Sequence, residues 1–269
     1  MTVRVGLIGW PVTHSRSPVI FAHWFARHGI DARYDLLPVE PGAVERFLAD
    51  LPGAGLAGVN VTAPHKVAAA ACVACDPVAT RLGSVNTVWR EDGVLAGTSS
   101  DGAGFLASLD QGAPRWRDGR RALVLGAGGA AIAVADALAA AGMAVAVANR
   151  TAARADALAD RIGGTSVPWG SLGGALDEAD VFVNATSLGM TGAEPLELDL
   201  APLPSHAVVA DIVYNPLATP LLEAAAARGH ATVDGLGMLL HQARVGFERW
   251  FGVVPEVDGE LRRTVEATL

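Results

Sequence analysis

Lys66 and Asp101 are the residues of this chain best suited to move a proton. Lys66 closes the segment Asn60-Val-Thr-Ala-Pro-His-Lys66, and Asp101 closes Gly97-Thr-Ser-Ser-Asp101, each directly after an apolar run. Beside a hydride carrier, such a pair can deliver or remove the one proton that a reacting carbonyl exchanges. Other loops in the same half supply Ser15, Ser17, Thr62 and Asn86. Hydroxyls and an amide offer donors and acceptors with little net charge, which suits a small polyhydroxylated ligand. Ordinary roles compete: serines cap helices, Asn86 bonds backbone, and Lys66 and Asp101 are solvated ions. Taken singly the ordinary roles prevail; gathered on strand-end loops, the residues point to a site.

A hydride carrier is implied by Ala122–Arg154. An apolar run ends in Gly126-Ala-Gly-Gly-Ala130, an alanine-rich stretch of helical length follows, and a second apolar run ends at Asn149-Arg150. This is the strand, turn, helix and strand of a right-handed βαβ unit. Gly126 permits the turn, Gly128 leaves room for a pyrophosphate, Gly129 and Ala130 start the helix, and Ala131 allows close helix–strand packing. An NAD site usually carries an acidic residue about 20 residues after the glycines. Here Asn149-Arg150-Thr151 stands there, with Arg154 a turn later. Guanidiniums suit a 2′-phosphate and are disfavoured at a bare helix N-terminus, so NADP is expected over NAD.

Composition sets the bounds. The 269 residues are 51% hydrophobic with a net charge of −8, which fits a globular protein and argues against nucleic-acid or anionic-membrane surfaces. The first residues, Met-Thr-Val-Arg-Val-Gly-Leu-Ile-Gly, resemble a strand more than a signal peptide, and no apolar run approaches the roughly 18 residues of a membrane span. A cytoplasmic protein is expected. Cys72 and Cys75 have redox-like C-x-x-C spacing, but two small apolar residues on an alanine-rich helix are the favoured reading. No second cysteine pair or clustered histidines complete a metal site, so none is proposed.

The elements that must position these residues follow from periodicity. Strands are expected at 3–9, 32–37 and 56–61, with helices from Pro18 to about Gly29, over 44–51 and through the alanines 68–71. Ser84–Arg90 and Gly93–Gly97 read as a hairpin turning at Asp92-Gly93, the antiparallel edge of a mostly parallel sheet. Asp101 opens a helix. After the nucleotide unit come a helix over 152–162, strands near 165–168 and at 181–184, 207–213 and 231–233, and a helix over 221–228. Apolar Gly237–Phe251 and residues 258–267 are helical. Ligands of such sheets bind beyond the strands' carboxyl ends.

Read together, the chain resembles the shikimate dehydrogenases. The motifs are His14-Ser-Arg-Ser-Pro18, Asn60–Lys66, Gly83-Ser-Val-Asn-Thr87, Asp101-Gly, Gly126–Ala130, Asn149–Arg154, Asn184-Ala-Thr-Ser-Leu-Gly-Met190, Tyr214-Asn-Pro and Asp234-Gly-Leu-Gly-Met-Leu-Leu-His-Gln242. They run in the family's order along nearly the whole chain. The resemblance implies an α/β fold of two domains with the active site in the cleft between them. One is an N-terminal, mostly parallel substrate domain, residues 1–101, completed by C-terminal helices 237–269. The other is a Rossmann-type NADP-binding domain, residues 102–236. It implies reversible NADP-dependent reduction of 3-dehydroshikimate to shikimate in aromatic amino-acid biosynthesis.

By position, Lys66 would be the acid/base and Asp101 its partner. Ser15 and Ser17 would hold the substrate carboxylate, with Thr62, Asn86, Tyr214 and Gln242 on the rest of the substrate. Gly126, Ala127, Gly128, Gly129, Ala130, Asn149, Arg150, Thr151, Arg154, Ile212 and Gly235 would bind NADP. Two departures stand out: Thr98-Ser99-Ser100 precedes Asp101 where the family has x-N-T, and Trp10 replaces a small polar residue. Quinate or aminoshikimate oxidation on the same scaffold, and a non-catalytic shikimate/NADP sensor, are the competing readings. A homodimer is compatible with all of them.

Overall fold

A computed structural model describes residues 2–269. The chain divides into two compact units, residues up to Ser100 together with Gln242–Leu269, and Asp101–His241. Asp101 thus opens the second unit, and the return to the first falls inside a helix, after His241.

In the first unit, β1 (Val3–Gly9), β2 (Ala32–Pro38), β3 (Gly58–Val61), β4 (Ala74–Cys75), β5 (Thr87–Glu91) and β6 (Val94–Thr98) form one sheet in the order β2-β1-β3-β5-β6-β4. β1 runs parallel to β2 and β3, and β5 antiparallel to β3 and β6. The β5–β6 turn places Asp92 and Gly93 at φ 49° and 85°, the paired left-handed conformation that Asp-Gly tolerates. The hairpin is not the edge, however: β4 pairs in parallel outside β6. Two residues are too few for alternation to reveal a strand.

The same region corrects the cysteine reading. Helices α1 (Ser17–His28) and α2 (Val44–Ala49) precede α3 (Lys66–Ala70), which ends before Cys72; Cys75 lies in β4, ahead of the unanticipated α4 (Pro77–Leu82). Both thiols donate to carbonyls, of Ala68 and Ala70, at 3.2 and 3.3 Å. Burial pushes both thiol pKa values up, which keeps them protonated and unreactive.

One face of the first sheet packs Ile8, Val59, Val61 and Val88 against Val44 and Leu48 of α2, Ala69 of α3 and Ala79 of α4. The other is covered by aromatic rings. Phe21, Trp24 and Phe25 of α1 meet Phe247, Trp250 and Phe251 of α10 (Gly235–Phe251). The Trp250 indole donates to the Val88 carbonyl at 3.0 Å and lies where a side chain at Gly58 would project. Trp24 donates to the Glu256 carbonyl, and Arg27 pairs with Asp258 at the start of α11 (Gly259–Glu266). Phe247 is fully buried, and its truncation to alanine should cost about 3–5 kcal/mol.

The second unit contains β7 (Arg121–Leu125), β8 (Ala144–Ala148), β9 (Thr165–Val167), β10 (Val181–Asn184), β11 (Val208–Asp211) and β12 (Ala231–Val233). All pair in parallel, in the order β12-β11-β10-β7-β8-β9. Counted from β7, this is the doubly wound order with its switch between β7 and β10. Both faces are buried: Val124, Val145 and Val183 meet α5 (Asp101–Gly112), α6 (Gly129–Ala140) and α7 (Ala152–Ile162), while Leu123, Leu125 and Phe182 meet α8 (Leu172–Asp177) and α9 (Pro220–Ala227). That explains why these strands read as continuous apolar runs.

β11 ends at Asp211, short of the expected Val213, because the Asp211 carboxylate accepts the Val213 N–H at 3.0 Å and turns the chain. α10 starts at Gly235, not Gly237, where Asp234 accepts the Leu236 N–H at 3.0 Å. No helix among the described residues is long and apolar enough to cross a membrane.

Candidate active site

The first unit's polar residues gather at the carboxyl ends of β1 and β3 and near the start of β5. Ser15 donates to the Ser17 hydroxyl at 3.1 Å and accepts the Ser17 N–H at 3.2 Å, so the two serines brace each other. The N-cap residue Arg16 makes no side-chain cap to α1, and the Ser15 hydroxyl takes the N–H of Ser17, the helix's first residue, so part of the serines' role is local. Thr62 follows β3, its N–H bonded to the Ile8 carbonyl at 2.9 Å. Lys66 is the first residue of α3, and its carbonyl accepts the Val85 N–H at 2.9 Å, tying the lysine's turn to the segment before Asn86.

His65 received no role from sequence. It is buried, and its Nε2 lies 2.7 Å from the Val39 carbonyl. The Nε2–H tautomer then anchors the Lys66 turn to the end of β2.

Asn86 is also buried, and three donors converge on its Oδ1: the Ser100 N–H (2.9 Å), the Ser100 hydroxyl (3.0 Å) and the Thr87 hydroxyl (3.1 Å). Its amide nitrogen is thereby turned toward Gln242 Oε1, at 3.4 Å. This gives the Ser99-Ser100 departure a structural meaning. Ser100 still supplies a hydroxyl, and that hydroxyl orients Asn86.

In the second unit Asp101, also buried, opens α5, where a carboxylate is favoured by the helix dipole. Gly126 has φ 112°, and a Cβ there would lie 2.7 Å from the Ala185 carbonyl oxygen. Ala127 follows, half-buried. Gly128 caps α6 without any side-chain bond, Gly129 and Ala130 form its first turn, and a Cβ at Gly128 or Gly129 would meet nothing within 4 Å. The free helix N–H groups therefore face open space, a cradle that fits an anionic diphosphate.

Across β8, Asn149 Nδ2 bonds the Thr151 carbonyl at 3.0 Å, and Thr151 precedes α7, whose first turn carries Arg154 and no acidic residue. Arg150 is 72% exposed; its one recorded ion pair, to Glu194, spans 4.0 Å between two exposed side chains. Such a contact contributes little and leaves the guanidinium available to a phosphate.

The loops after β10 and β11 are held by one buried network. Asn184 Nδ2 donates to Asp211 Oδ1 and to the Leu188 carbonyl, each at 3.0 Å, while its Oδ1 accepts from the Thr186 hydroxyl and N–H. Thr219 donates to Asp211 Oδ2 at 2.8 Å. Burial raises the Asp211 pKa, opposed by its three hydrogen bonds. Ile212 N–H bonds the Asn184 carbonyl at 3.0 Å, and Gly235 packs so closely on Ile212 that no side chain fits. Tyr214 lies on the same loop, which Thr191 fastens through Asn215.

A doubly wound parallel sheet with an uncapped glycine turn at its switch point defines the second unit as a Rossmann-type dinucleotide-binding fold. Comparison with known proteins narrows this class. Three family models match: the shikimate dehydrogenase substrate binding domain over residues 7–88, shikimate / quinate 5-dehydrogenase over 112–194, and the shikimate 5'-dehydrogenase C-terminal domain over 235–259. The chain is 53% identical to a shikimate dehydrogenase (NADP(+)) of Azorhizobium caulinodans, covering 99% of this chain and 96% of that protein. It is 55% identical to that of Rhodospirillum rubrum, covering 97% and 95%. The crystal structure of Thermus thermophilus shikimate 5-dehydrogenase in complex with NADP(H) and shikimate superposes with a TM-score of 0.90 at 36% identity, covering 99% of this chain and all of that one. The chain belongs to the shikimate dehydrogenase family.

Proposed function

We propose that this protein interconverts 3-dehydroshikimate and shikimate with NADP(H), in the cytoplasm. The observation that carries the reading is the pairing of an uncapped, unobstructed α6 N-terminus with two basic side chains, Arg150 and Arg154, after the next strand. The first cradles a diphosphate and the second answers a 2′-phosphate. The names of the relatives, which specify shikimate and NADP(+), supply the substrate.

When bound, the nucleotide supplies or accepts the hydride. The remaining work falls to the protein. In the reductive direction the Lys66 ammonium gives a proton to the carbonyl oxygen as it becomes a hydroxyl, and takes it back in the reverse. Asp101 accepts a hydrogen bond from a substrate hydroxyl. Ser15 and Ser17 donate to the substrate carboxylate. Thr62, Asn86, Tyr214 and Gln242 orient the ring, and Ile212 and Gly235 shape the nucleotide's pocket. A homodimer is compatible with this scheme.

The test is formation of the reduced nucleotide, NADPH from NADP or NADH from NAD, with shikimate and with quinate. Highest kcat/KM for shikimate with NADP is expected. A preference for quinate with NAD overturns the substrate reading, and binding of shikimate and NADP without turnover makes the protein a sensor.

A further inference from the structure

The Tyr34 phenol and the Asn86–Gln242 pair are the two ends of one hydrogen-bonded chain inside the first unit. The Tyr34 phenol donates its single proton to Asn60 Oδ1 at 2.8 Å. Asn60 Nδ2 then donates to the Thr87 hydroxyl at 3.0 Å and to the Asn86 carbonyl at 3.2 Å. Thr87, accepting from Asn60, is left to donate to Asn86 Oδ1. Tyr34, Asn60, Thr87, Asn86 and Gln242 thus form a directed series of donors and acceptors.

The series is held rigid. Asn60 and Thr87 are register partners on antiparallel β3 and β5. The Tyr34 ring stacks on Phe21 with centroids 4.2 Å apart and planes 24° apart. Desolvation raises the phenol pKa, so Tyr34 stays a donor at any working pH. An inverted Asn60 amide would set its oxygen against the Asn86 carbonyl, acceptor to acceptor, so that carbonyl fixes the amide's orientation, and the phenol supplies the donor its Oδ1 then needs.

We propose that Tyr34 is a positioning residue for substrate binding: its phenol holds Asn86 in place through Asn60 and Thr87. The proposal rests on the reading of Asn86 and Gln242 as substrate-binding groups. Tyr34→Phe keeps the ring stack and removes only the hydroxyl. Thr87→Val breaks the same series beyond Asn60 with a side chain of similar shape, and serves if Tyr34→Phe fails to fold.

In the full-length protein each variant should raise the shikimate KM about tenfold, leave the NADP KM within about twofold and change kcat by less than about threefold. The double variant should be no worse than the worse single, because both cut one series. An unchanged shikimate KM, equal rises in both KM values, or additive losses would overturn the proposal. Wild-type turnover of shikimate, measured alongside, tests the underlying reaction separately. Should the wild type bind shikimate without turnover, the same tenfold criterion applies to Kd from calorimetry; no shikimate binding at all overturns both.

Discussion

Asn184 and Asp211 are register partners at the ends of adjacent parallel strands, and the amide of one donates to the carboxylate of the other at 3.0 Å. The loops that leave β10 and β11 are therefore bolted together at their first residue. Burial raises the Asp211 pKa above the ordinary carboxylate value. The folded state then binds this proton more tightly than the unfolded chain does. Its contribution to stability is complete below the ordinary range and is lost as pH rises through the raised value. Asp211→Asn cannot titrate, so the stability of wild type minus variant should fall between about pH 4 and pH 7. Urea midpoints at the two pH values decide it; a difference that stays level or grows with pH contradicts the assignment.

Lys66→Ala should lower kcat by about 10²–10⁴-fold with a smaller effect on KM. Steady-state rates in both directions are the measurement. A variant keeping most of its kcat would remove Lys66 from proton transfer.

Two glycines two positions apart in one turn, Gly126 and Gly128, should respond differently to substitution. Gly126→Ala forces a left-handed φ on a residue with a Cβ and drives that carbon toward the Ala185 carbonyl, at a cost of about 1–3 kcal/mol. Gly128→Val meets open space in the protein, so its melting temperature should stay near wild type while the NADP KM rises about tenfold or more. Calorimetry with kinetics on both variants checks the contrast; similar melting temperatures, or an unaffected NADP KM in Gly128→Val, would refute it.

Arg150→Ala should raise the KM for NADP about tenfold and leave that for NAD within about twofold. Equal effects on the two nucleotides would rule out a 2′-phosphate contact.

Most of this architecture was legible because its signals are periodic or punctuated. The six apolar runs of the second unit, the Asp92-Gly93 turn and the glycines after β7 each have one economical reading. What escaped notice was either too short or too distant in sequence. β4 has two residues and α8 six, below the length at which a period shows. Tyr34, Asn60 and Thr87 look like ordinary strand residues, and only the pairing of β3 with β5 and the reach of Tyr34 over the sheet bring them together. Ser100 looked like a loss from the family pattern until its hydroxyl was found on Asn86. No spacing rule carries such information, because each of these contacts joins residues that only the folded chain makes neighbours.

The first unit is closed by residues 242–269, including the Phe247 and Trp250 rings, the Glu256 carbonyl that receives Trp24 and the Asp258 carboxylate that receives Arg27. On a ribosome the whole of Asp101–His241 emerges between the two parts of that unit. The second unit, contiguous in sequence, can complete itself at once, while the aromatic face of α1 must wait uncovered for the end of the chain. During translation, Phe21, Trp24 and Phe25 remain without their α10 partners until those residues are made.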